Sequence, residues 1–126
     1  FPHLIVVGSG ERERALRSYV SDKGLEDVVH WLGWRKDLPQ IFPAFDVTEL
    51  TSLDEGTPVS LIESLASGTP VVSLAVGGVP EILDGGELGC LVHSAWDDEV
   101  AAGIDSVLAS PPSPEARERT RKLVLE

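Results

Sequence analysis

Short apolar runs alternate along the chain with longer segments in which apolar residues recur at helical spacing, and that alternation predicts the elements. His3 to Val7 predicts a strand. Gly8-Ser9-Gly10 then turns into a charged stretch reaching about Asp22, where Leu16, Tyr19 and Val20 share a helical face. Gly24 ends that helix, Val28 to Leu32 predicts a second strand, and Lys36 to Ala44, with Leu38, Ile41 and Phe42, predicts a brief helix. Asp46 to Leu50 reads as a third strand. Pro58 to Ser67 reads as a helix with Thr57 as its cap, Pro58 at its first position, and Gly68 and Pro70 as its stop. Val71 to Leu74 is a buried strand, Gly77-Gly78 opens a short helix over Val79 to Leu83, and Leu88 to Val92 returns as a strand. Helices over Asp97 to Leu108 and Pro114 to about Val124 complete the pattern.

Short strands alternating with helices predict an α/β fold, a Rossmann-like, doubly wound and mainly parallel sheet covered on both faces. In such sheets ligands lie beyond the carboxyl ends of the strands, so function is sought in the loops that follow them. At 126 residues the chain has room for one domain, spanning 1–126. An apolar fraction of 42% fits a globular core rather than disorder. No apolar run approaches the roughly 20 residues that cross a bilayer. The single cysteine, Cys90, excludes an internal disulfide and a structural zinc site and suits a reducing, cytoplasmic setting. A net charge of −11 disfavours nucleic acid and obliges any phosphate site to use backbone amides or cations supplied from elsewhere. The absence of methionine, position 1 included, suggests a segment of a longer protein.

The chemistry concentrates between Asp46 and Val72. A helix whose amino end faces a strand-end loop offers unpaired N–H groups and partial positive charge to a phosphate, and here that end falls at Thr57 to Ser60. Glu63 follows Val59 by one turn, about 6 Å along the axis, and shares a face with Val59 and Ser60. A carboxylate accepts hydrogen bonds from two vicinal hydroxyls, which makes Glu63 a candidate ribose ligand and Glu55 a candidate sugar ligand. Against this stand the ordinary roles of a solvated helix glutamate and a turn residue before Gly56, although the apolar neighbours of Glu63 argue against a mostly exposed helix.

Glu55 and Glu63, separated by seven residues in a Glu-Gly-x-Pro…Glu frame, resemble the signature of the retaining glycosyltransferases of family 4, also called group 1. The likeness extends over Val6 to Glu11, Val29 to Gly33, Asp46-Val47, Ser67 to Val72 and Gly77 to Glu81, in family order. It implies the carboxyl-terminal, donor-binding half of a GT-B enzyme, whose substrate is a nucleotide diphosphate sugar and which needs neither cofactor nor metal. Its partner would be an amino-terminal acceptor-binding domain of the same chain. By this resemblance Glu55 is the catalytic-site residue holding hydroxyls of the transferred hexose. Gly56, Thr57 and Pro58 line the sugar pocket, the amides of Val59 and Ser60 meet the diphosphate, and Glu63 takes the ribose. The base packs near Gly33 to Lys36.

The sequence departs from the family in three ways. The family's Arg and Lys that neutralise the diphosphate belong upstream of the segment matching His3 to Gly10, so the isolated chain is expected to be inactive. Thr48-Glu49-Leu50-Thr51 replaces an apolar run, which raises the prospect of a buried Glu49 in need of a partner. Thr57 stands where a larger apolar residue is common. The missing cations also leave open a non-catalytic nucleotide-binding or partner-docking module, and hydrolysis or epimerisation of a nucleotide sugar ranks below both. Gly8-Ser9-Gly10 lacks the third glycine of a dinucleotide loop, with Glu13 in its place. His3, His30 and His93 lack metal spacing, Trp31, Trp34 and Trp96 read as packing, with Trp34 alternatively bordering the base, and Cys90 as a small buried hydrophobe.

Overall fold

A computed structural model of the chain describes residues 2–53, 56–83, 89–94 and 96–126, and in it strands alternate with helices in the order read from the sequence. Every strand pair is parallel, as a Rossmann-like α/β fold requires. The chain divides into two compact units, Phe1–Asp37 and Leu38–Glu126.

The first unit is a β–α–β element: β1 (Leu4–Val7), α1 (Glu13–Asp22) and β2 (Val29–Gly33). Leu4 lies opposite Val29 and Ile5 opposite His30, and the register slips between Val6 and Val7. Among the described residues of this unit only Val29 is buried, and α1 buries none. The guanidinium of Arg17 lies 4.6 Å over the Trp31 ring and is ion-paired to Glu13, so a cation on an aromatic face ties α1 to β2. His3 and His30 stack and share a hydrogen bond of 2.9 Å at the exposed side of the strands.

The second unit carries the core. Its elements are α2 (Leu38–Ile41), a 3-10 turn (Phe42–Ala44), β3 (Thr48–Leu50), α3 (Val59–Ala66), β4 (Val71–Leu74), α4 (Val79–Ile82), β5 (Gly89–Val92), α5 (Asp97–Ala109) and α6 (Pro114–Leu125). The strand order is β3-β4-β5, and all four residues of central β4 are buried. Alternate side chains of a strand point to opposite faces. Accordingly Val71 packs with Leu61, Leu65, Val79 and Leu83 on one side. Val72 and Leu74 pack with Val92, and with Val100, Ile104 and Val107 of α5, on the other. Both faces being covered explains why every residue of β4, Ser73 included, is buried.

Three expectations change. Glu49 is exposed on the short strand β3, so it needs no buried partner. Trp34 and Trp96 are largely exposed rather than packed: Trp34 lies just past β2, and Trp96 is the cap residue at the start of α5. The helix expected from Pro58 starts at Val59: Pro58 itself occupies the cap with φ −77° and ψ 89°, and no side chain caps it. Thr57 is thereby moved one residue too far back to serve as the cap.

Candidate functional site

The loops after β3 and after β4 leave the same end of two neighbouring parallel strands, and a hydrogen bond joins them: the amide of Gly78 donates to the carbonyl of Gly56 at 3.2 Å. Out of the first loop rises α3. Its inner face is fixed by Leu61, Ser64 and Leu65, all buried against β4 and the helices around it. With that face committed, 3.6-residue periodicity turns Val59, Ser60 and Glu63 outward, and all three are exposed. Gly56 and Thr57 are exposed as well, while Pro58 is buried. The apolar flanks of Glu63 had argued for a half-buried helix; they belong to the opposite side of α3.

The first turn of α3 is closed by one carbonyl. The carbonyl of Pro58 accepts from Leu61 at 3.1 Å and from Ile62 at 3.2 Å, closing the first turn. No acceptor among the described residues takes the amides of Val59 or Ser60. These two donors stand at the positive end of the helix dipole. At the other end, Arg117 donates to the Gly68 carbonyl at 3.3 Å and Arg121 to the Ser67 carbonyl at 3.2 Å, so cations from α6 meet the negative end. Between Lys36 and Arg117 the sequence contains neither Lys nor Arg. Positive potential near residues 56–63 therefore comes from backbone amides within this stretch of chain.

Of the expected site residues, Gly56, Thr57, Pro58, Val59, Ser60 and Glu63 lie on one continuous segment at the strand ends. Glu55 lies outside the described residues. The segment expected near the base, Gly33 to Lys36, belongs to the first unit. There Arg35 grips Asp37 with two hydrogen bonds of 2.8 and 2.6 Å, which hold the Asp37 carboxyl below its ordinary range, and Lys36 lies 5.4 Å over the exposed Trp34 ring. Gly78 is the residue whose place at the site the sequence reading missed; the glycine pair before Val79 was the available signal.

A cleft of about 520 Å³ lies elsewhere in the second unit, between β5, α5 and α6, with Gly68, Cys90, His93, Arg117 and Thr120 on its wall. None of the expected site residues among the described ones lines it.

Residues 2–123 match the family described as glycosyl transferases group 1. The chain is 33% identical over 107 residues to a D-inositol 3-phosphate glycosyltransferase of Corynebacterium aurimucosum, covering 83% of this chain and 25% of that one. It is 37% identical over 95 residues to the UDP-Gal:alpha-D-GlcNAc-diphosphoundecaprenol alpha-1,3-galactosyltransferase of Escherichia coli, covering 75% of this chain and 22% of the relative. Among solved structures, Anabaena Alr3699/HepE in complex with UDP and glucose superposes with a TM-score of 0.87 at 27% identity, over 97% of this chain and 35% of that one. The chain thus spans about a quarter of the curated relatives' length and about a third of the solved chain. With the parallel α/β topology and the Glu55…Glu63 frame standing in the same stretch as this match, the chain belongs to the group 1 glycosyl transferase family.

Proposed function

We propose that this chain binds the nucleotide diphosphate sugar donor of a retaining glycosyltransferase, and that the whole protein moves a hexose from that donor to an acceptor brought by a further domain. The observation that carries the reading is the pair of amides at Val59 and Ser60 on the exposed end of α3, which donate to no acceptor among the described residues, with Glu63 exposed one turn further on. In this reading the two amides bind the diphosphate, and the Glu63 carboxylate accepts from the ribose hydroxyls. Glu55, with the backbone of Gly56 to Pro58, holds the transferred sugar. The UDP complex of the Anabaena neighbour supports a nucleotide ligand on this architecture.

Calorimetric titration with UDP, GDP and ADP and their sugar conjugates tests the site. Saturable binding that Glu63→Ala abolishes supports it; equal binding by the variant rejects the ribose assignment. Retention is tested on the whole protein, by reading the anomeric configuration of the first-formed glycoside. A second reading, a nucleotide-binding module without catalysis, is favoured by the absence of Lys and Arg from residue 37 to residue 116, since a departing diphosphate needs charge stabilisation. Donor binding by the whole protein without glycoside formation across an acceptor panel would select it.

A further inference from the structure

Gly78 has ordinary helical backbone angles, φ −80° and ψ 0°, which any residue adopts, so conformational freedom does not account for a glycine there. Its surroundings do. A Cβ built on Gly78 would stand 2.8 Å from the carbonyl oxygen of Gly56. Separations under about 3.0 Å are not tolerated between such atoms, and the neighbour is main chain rather than the yielding tip of a side chain. The amide of Gly78 also donates to that same oxygen at 3.2 Å. One residue thus supplies the hydrogen bond that holds the Gly56 peptide and the empty space that lets it come close.

We infer that Gly78 is a positioning residue for the diphosphate: by seating the Gly56 carbonyl against the turn after β4, it sets the path of Gly56 to Pro58 and so the aim of the Val59 and Ser60 amides. Pro58 conveys the effect. Its ring restricts the chain, and its carbonyl closes the first turn of α3 through Leu61 and Ile62, so a displaced Gly56 displaces the helix start. The buried contacts of Leu61 and Leu65 hold the rest of α3, and Glu63 with it, in place. The inference rests on the donor reading above and adds a residue that touches no ligand.

The test compares wild type with Gly78→Ala, titrated with UDP, GDP and ADP and with UMP, GMP and AMP. For whichever base binds, the advantage of diphosphate over monophosphate falls about tenfold or more in the variant, the consequence of misaligning a hydrogen bond to a charged group. Monophosphate affinity changes less than about twofold, because Glu63 is undisturbed. A folded variant that keeps the full diphosphate advantage overturns the inference. If wild type binds no diphosphate, the donor reading itself fails and takes this inference with it. Should Gly78→Ala not fold, hydrogen exchange in wild type decides: saturating diphosphate slows exchange of the Gly78 amide, and an unchanged rate overturns the coupling.

Discussion

The hydroxyl of Ser64 donates to the hydroxyl of Thr48 at 2.8 Å and lies 3.3 Å from the carbonyl of Thr69, so one fully buried side chain ties α3 to β3 and to the turn before β4. Thr69 in turn donates to the carbonyl of Phe42 at 2.6 Å. No buried side-chain polar atom among the described residues lacks a partner. Ser64→Ala removes the donor at the centre of this chain and is expected to cost about 1–2 kcal/mol, read as a lower urea midpoint at unchanged slope.

Glu63, one residue earlier on the same helix, is expected to behave in the opposite way. Its side chain is exposed and makes no hydrogen bond to the described residues, so Glu63→Gln stays within about 0.5 kcal/mol of wild type in stability. Under the proposed function the same change weakens nucleotide binding, while Ser64→Ala leaves it intact wherever the chain remains folded. Paired urea melts and titrations on the two variants separate stability from binding.

Two glycines packed against β4, Gly103 of α5 and Gly89 of β5, are held by packing, to different degrees. A Cβ on Gly103 would meet side chains only, Val72, Val92 and Cys90, at 3.1 to 3.3 Å. On Gly89 it would meet the carbonyl oxygen of Val71 at 2.5 Å and the Val71 Cγ2 at 2.7 Å. Gly103→Ala sets about 1–3 kcal/mol of overpacking against about 1 kcal/mol of helix propensity and ends mildly destabilising. Gly89→Ala forces the β4–β5 ladder apart and is expected to be the more damaging of the two in thermal melts.

The carboxyl end of α3 supplies a further test. Gly68 turns the chain with φ +77°, and its carbonyl and that of Ser67 receive Arg117 and Arg121 from α6. Gly68→Ala is expected to cost about 1–2 kcal/mol from the left-handed backbone alone. Arg117 is partly buried and also donates to the Pro112 carbonyl at 3.2 Å, so Arg117→Ala should exceed Arg121→Ala, whose charge is more exposed and screened by salt. Melting each variant at low and high salt checks the order.

Acid should loosen the start of α6. There Ser113 caps the helix by accepting from Ala116 at 3.1 Å, and the carboxyl of Glu115 is held below its ordinary range, first by its own backbone N–H and then by the Ser113 hydroxyl. A depressed folded-state value means that the stabilising contribution is complete above the unfolded value and is lost as pH falls through the folded one. Glu115→Gln is expected to flatten that acid limb. Following the amide signals of residues 114–117 by NMR between neutral pH and pH about 3 measures it.

The order of strands and helices was legible because it is written locally. Val71, Val72 and Leu74 mark a buried strand within four residues, and Gly24 and Gly68 stop their helices where the sequence put the stops. Residues 56–60 and Glu63 were legible as one loop-to-helix segment because a strand-end loop running into a helix places them together. Tertiary structure alone decided which side of α3 faces β4, and so turned Val59 and Glu63 outward in spite of their apolar neighbours. It also decided that Pro58, not Thr57, stands at the cap, that arginines 49 and 54 residues away close the far end of α3, and that Gly78 meets Gly56. The reason is physical: periodicity and punctuation act over one or two turns of chain. A contact between segments distant in sequence depends on the packing of the core between them, which no local pattern specifies.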